Sequence, residues 1–203
     1  MKKLNVLLSL LCATSMINAD SWRDKSVFTL EEEFRAKNQA TPLFYEHTDI
    51  QYKYLLNQNV DVFTDYRFIL QNKGKGFNDQ NMFIEGFNLK YPESTNWGKI
   101  NLRTRIEIGL NTSPTASTYQ LNVFPKYNTP WKWTRFKINP FIADESFYDT
   151  IHSMGFVKNR IYAGVDWQIT PKIKGSTYYY KEDSKSNPWS HADVAVTQIK
   201  FEF

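Results

Sequence analysis

Residues 99–110 read Lys99-Ile100-Asn101-Leu102-Arg103-Thr104-Arg105-Ile106-Glu107-Ile108-Gly109-Leu110. Leu102, Thr104, Ile106, Ile108 and Leu110 share one parity; Asn101, Arg103, Arg105, Glu107 and Gly109 share the other. A helix turns about 100° per residue and would scatter those charges around its circumference. A strand sends successive side chains to opposite faces and gathers them into one stripe. Val60, Val62, Thr64, Tyr66, Phe68 and Leu70 oppose Asp61, Phe63, Asp65, Arg67 and Ile69 in the same way. So do Ile161, Ala163, Val165, Trp167 and Ile169 against Lys158, Arg160, Tyr162, Gly164, Asp166 and Gln168.

Working outward, this period predicts about ten strands, with eight or twelve as the alternatives. They fall near 26–36, 46–56, 59–71, 81–91, 99–110, 118–128, 135–148, 157–169, 172–182 and 193–203. Each is near the roughly 9–11 residues that cross a bilayer as a tilted strand. Connections at Gln58, Pro92–Gly98, Thr129–Trp133 and Thr170–Pro171 alternate with a set that tends to be longer, at Asn38–Pro42, Asn72–Gln80, Asn111–Ser117, Thr150–Phe156 and Ser184–Ala192. The expected fold is all-β: an antiparallel up-and-down transmembrane β-barrel, behind a cleaved N-terminal signal peptide.

That leader is read from Lys2 and Lys3, an apolar run from Leu4 to about Met16, and small Ala19 at the cut. The expected division is a signal peptide over 1–19 and an outer-membrane β-barrel over 20–203. A lipoprotein reading would acylate Cys12, but Leu11 stands where a small residue is wanted. Losing Lys2 and Lys3 lowers the net charge from +4 to +2, which weakens any case for a nucleic-acid partner. The single Cys excludes a disulfide framework. Aromatic residues make up 16% of the chain, which excludes disorder. The mean hydropathy of −0.53 suggests a soluble protein, but a lipid-facing stripe and a polar stripe would cancel in that average.

The chain ends Thr197-Gln198-Ile199-Lys200-Phe201-Glu202-Phe203. Ile199, Phe201 and Phe203 share a face with Ala195 and Thr197, resembling the C-terminal assembly signal of Gram-negative outer-membrane barrels. The expected location is therefore the outer membrane. The expected partners are its lipid, lipopolysaccharide and, through the last strand, the barrel-assembly machinery. Tyr52, Tyr54, Tyr66, Trp97, Trp131, Trp133, Trp167 and Phe203 fall near strand ends, where interfacial girdles belong.

The inward stripes collect Glu31, Glu33, Arg35, Asp65, Arg67, Glu85, Arg103, Arg105, Glu107, Glu145, Arg160 and Asp166, with Lys53, Asp61, Lys137 and Lys158. Charges in a low-dielectric lumen must pair, and arginine forks favour carboxylates. Two readings stay open: a solid ion-paired core, or a narrow pore for a small solute. Mixed signs give no legible ion preference. Glu32, and Asn88 or Lys90, fall on the lipid-facing parity.

Enzymatic chemistry has little support. His47, His152 and His191 fall in or near the longer loops. His152 and Ser153 with Asp144, Glu145 or Asp149 would supply a nucleophile, a base and an orienting carboxylate, but no motif fixes their geometry. Dispersed histidines argue against a metal, and no cofactor is expected. A non-enzymatic barrel is the preferred reading. A porin-like channel, an outer-membrane hydrolase and a soluble lipocalin-like barrel are the alternatives.

A family resemblance rests on several segments in order. They are Asp20-Ser21-Trp22, a Glu-rich first strand ending in Arg35, Asp65-Tyr66-Arg67, Leu102–Glu107, Asn139–Tyr148, Lys158–Gly164 and Tyr178-Tyr179-Tyr180. Together they resemble the bacterial outer-membrane barrel family catalogued as domain of unknown function twenty-four ninety. That resemblance implies a small outer-membrane barrel without an established activity. It maps the family's recurring Arg and Glu onto Arg103, Arg105, Glu107, Glu145 and Arg160.

Overall fold

The computed structural model describes residues 25–37, 43–72, 77–91, 97–110, 119–150, 155–185 and 190–203. The expected signal peptide, Cys12, His152 and Ser153 lie outside them. Ten antiparallel strands run β1 (Ser26–Lys37), β2 (Leu43–Leu55), β3 (Val60–Asn72), β4 (Phe77–Lys90), β5 (Lys99–Leu110), β6 (Tyr119–Asn128), β7 (Asn139–Asp149), β8 (Gly155–Gln168), β9 (Ile173–Ser184) and β10 (Ser190–Glu202). Each pairs with its sequence neighbours, and β1 pairs with β10 to close the ring. No helix among the described residues is long and apolar enough to cross a membrane.

Closure removes the sheet edges, so the backbone satisfies itself around the ring. Two irregularities interrupt the registers: a shift between Arg35 and Ala36 against β2, and another between Phe147 and Tyr148 against β8. Pro125 has no N–H, and the β6–β7 ladder skips Phe124 and Pro125 between Val123–Ser146 and Lys126–Ala143.

Strand β7 begins at Asn139, later than the period suggests. Thr134 and Lys137 take positive φ, and Trp133 bridges Ile138, so residues 134–137 form a turn. The start of β1, the end of β10, the connections 56–59, 129–138 and 169–172, and Tyr91 with Gly98 lie at one end, the turn end; the opposite end is the loop end.

The side-chain distribution is inverted relative to a soluble globule. Ile142 (61% exposed), Ile161 (60%), Ile50, Ile106 and Phe28 face outward, while Glu145 (2%), Asp61 (0%) and Arg67 face inward. Gly86 and Gly164 give room to inward rings. A Cβ on Gly86 would stand 2.7 Å from Phe63 Cζ and 2.4 Å from the Thr104 carbonyl oxygen. On Gly164 it would meet Tyr178 Cβ at 2.3 Å.

Candidate functional site: the barrel interior

Alternation places every second residue of each strand inside. Toward the loop end, Ile69, Met82 and Ile84 pack with Phe63. Tyr180, Val194 and Val196 pack with Phe141, Ala143 and Tyr162. His47 and Phe147 are each 1% exposed. Most of these side chains lie in that half of the lumen; Phe63 and Phe141 lie nearer the turn end, and Phe141 lines the cavity there.

A layer of ion pairs lies against this packing. Arg67 forks onto Asp49 at 2.7 and 2.6 Å, joining β3 to β2. Arg105 reaches Glu107 at 2.8 Å and Glu145 at 2.9 Å. Glu145 also accepts a short hydrogen bond from the Tyr162 hydroxyl and lies 3.6 Å from Arg160. Arg160 donates to Glu182 at 2.6 Å. Glu33 accepts from Arg35, from Tyr178 at 2.8 Å and from Gln198 at 3.2 Å. Glu31 takes Lys200 at 3.1 Å and Gln198 at 2.5 Å. Such pairs, with their remaining lone pairs satisfied, are the condition for tolerating buried charge.

Toward the turn end the interior opens into a cavity of about 560 Å³. Its lining includes Lys53, Asp61, Asn88, Lys90, Arg103, Lys126, Asp166, Lys174 and Lys200, with Lys132 and Lys137 from the 129–138 turn. It reaches inward as far as Arg35, Arg67, Arg105, Glu145 and Arg160. Three acids here are matched: Asp61 with Lys90 at 2.5 Å, Asp166 with Lys126 at 2.7 Å, and Glu202 with Lys174 at 2.5 Å.

The sequence-derived residues distribute as follows. Glu31, Glu33, Arg35, Arg67, Arg105, Glu107, Glu145, Arg160 and Asp166 point inward and pair. Asp65 and Arg103 point inward, but neither has an ion-pair partner within 4.0 Å among the described residues. Arg103 instead lies over the Phe124 ring, 4.7 Å from its centroid. Glu85 is a correction: it lies on the outer face, opposite Thr64 and Ile106. The phase of β4 is the reverse of the expected one, so Met82, Ile84, Asn88 and Lys90 face the lumen. Asn88 and Lys90 are held there by Asp61, each at 2.5 Å. Glu32 does lie outside, accepting from Thr48 at 2.8 Å. Tyr54 is buried rather than part of an exposed girdle. Trp97, Trp131, Trp133 and Phe203 are exposed at the turn end.

His47 lies near the loop end of β2, within its expected strand, and points into the lumen. Its Nε2 stands 3.5 Å from Asp49, and its Nδ1 stands 3.7 Å from Glu33. Glu31, Glu33 and His47 bring ligand atoms within 4.8 Å of one another. A metal there would have to displace Lys200 from Glu31 and Arg35 from Glu33. Of the histidine–serine set, Asp144 faces outward beside Ser146 and Asn159, and Glu145 faces inward. Asp49, Lys126, Glu182, Gln198 and Lys200 were missed from the inward set. The parity opposite Ile199 and Phe201, and that of Lys53 in β2, would have found Gln198, Lys200 and Asp49.

These features define a closed ten-stranded antiparallel β-barrel with an ion-paired, half-filled lumen. The chain belongs to the family described as Protein of unknown function (DUF2490), whose model matches residues 14–189. No curated protein matches it. Similar solved structures include the translocator domain of autotransporter NalP from Neisseria meningitidis, at 8% identity and a TM-score of 0.41, over 100% of this chain and 95% of that one. The transport unit of the autotransporter AIDA-I from Escherichia coli is similar at 10% identity and a TM-score of 0.40, over 93% of both chains. Ail, the attachment invasion locus protein of Yersinia pestis, is similar at 10% identity and a TM-score of 0.25, over 88% of this chain and 97% of that one.

Proposed function

We propose that this chain is a small, non-enzymatic integral outer-membrane barrel whose loop half is plugged by its own side chains. The observation that carries this reading is the inversion: isoleucines and phenylalanines cover the outside of a ring that holds its ion pairs inside. Water would penalise that outer surface, and lipid would not. Strands of 10–14 residues suit a bilayer core about 30 Å thick when tilted by about 40°. The termini and short turns would then face the periplasm. Outer-membrane lipid and lipopolysaccharide would contact the wall, and the Ile199–Phe203 segment would engage the assembly machinery.

Expression with cell fractionation tests this. The expected result is recovery in the outer membrane with heat-modifiable gel mobility; a water-soluble product without that shift would overturn it. Planar-bilayer recording tests the plug. Resolved single-channel steps would replace it with the narrow-channel reading, which the packed loop half disfavours.

A further inference from the structure

We propose that the turn-end cavity is a binding site for a phosphate-bearing anion. The cavity stands in the fold whatever membrane surrounds it, so the proposal does not rest on the preceding one. Twelve basic side chains and five acidic ones line it; eight of the twelve bases hold a carboxylate, among them Asp49, Glu107, Glu182 and Glu202 from outside the lining. The acids near its mouth are already taken: Lys90 holds Asp61, and Lys126 holds Asp166 through both oxygens. Arg103 and Lys53 have no such partner. Neither has a carboxylate within 4.0 Å or donates a side-chain hydrogen bond among the described residues, and Arg103 Nε is buried without an acceptor.

A buried guanidinium donor left without an acceptor is costly in the empty fold, and an anion that supplies the acceptor removes that cost. The donor set also selects the chemistry. A planar guanidinium fork presents two parallel N–H groups to a phosphate, and ammonium groups on flexible stems follow its remaining oxygens as point charges. A volume of about 560 Å³ lies within the ordinary range for small-ligand sites, so it holds a phosphate ester and not merely an ion. The bound group is a phosphate, presented either by a free solute or by a lipid headgroup reaching in at the turn end.

The test uses the full folded barrel in detergent, titrated calorimetrically with inorganic phosphate, pyrophosphate and glycerol 3-phosphate. Citrate serves as the carboxylate control, and neutral micelles doped with phosphatidylglycerol form a separate arm. Saturable binding of the phosphates, weakened about tenfold or more in Arg103→Gln and in Lys53→Gln, is the expected result. Neither substitution orphans a carboxylate, and unchanged heat-modifiable mobility checks that both variants fold. Binding by the soluble esters points to a solute, and binding by the doped micelles alone points to a headgroup. No saturable phosphate binding, equal affinity in both variants, or a preference for citrate would each overturn the assignment.

Discussion

The two ends of the lumen obey one alternation rule and reach opposite outcomes. Toward the loop end, the inward positions carry Phe147, Val194, Val196 and Tyr180, and the charges beside them are matched by arginine–carboxylate contacts. Toward the turn end, the inward positions carry long lysines, and the space between them stays open. The alternation decides which side chains enter a barrel. Their bulk and pairing decide whether it is a plug or a cup.

Removing a carboxylate from the matched layer should have the largest effect. Glu145→Ala leaves Arg105, Arg160 and Tyr162 without their shared acceptor, and breaking a buried ion pair costs about 3–5 kcal/mol. Urea titration of the refolded barrel in vesicles measures this; a loss below about 1 kcal/mol would show that the layer is not a unit. Ile161→Arg probes the outside at the depth of Glu145, since Ile161 pairs with the adjacent Asp144. Lipid makes it cost about 2–4 kcal/mol at the bilayer midplane, whereas a water-facing wall would make it near neutral. Gly86→Ala sets a methyl against the Thr104 carbonyl and the Phe63 ring. The expected loss is about 1–3 kcal/mol, read as a shifted midpoint with an unchanged slope. Arg103→Gln should cost no stability, because it breaks no ion pair and removes a buried donor that has no acceptor. If it proved as damaging as Glu145→Ala, the contrast between the two ends would fail.

Strand number and most strand phases were legible because period-two alternation is a local signal, as β3, β5 and β8 show. Phase failed in β4, where Met82 and Ile84 are as apolar as Phe83 and Phe87, so hydrophobicity alone cannot choose a face. The glutamate at 85 then misdirected the choice. The pairings were not legible at all. Arg105 and Glu145 are 40 residues apart, and Tyr178 and Glu33 are 145 apart. Such partners are set by where the ring closes. The gathering of lysines at one end was hidden for the same reason, since five of them come from β2, β4, β6, β9 and β10 and meet only in three dimensions.

Nine of the ten strand pairings join sequence neighbours, while the β1–β10 seam joins Thr29 to Glu202. Loop-closure entropy grows with the logarithm of length, so that contact costs roughly 2–3 kcal/mol more to close than a hairpin of about ten residues. The seam thus acts as the clasp of the molecule. All ten strands can be laid side by side before it matters, but the first and last keep raw edges until the amide of Phe203 meets the carbonyl of Phe28. On loop-closure entropy alone, time has a direction in this fold: local weaving of the wall is favoured first, and fastening of the ring last.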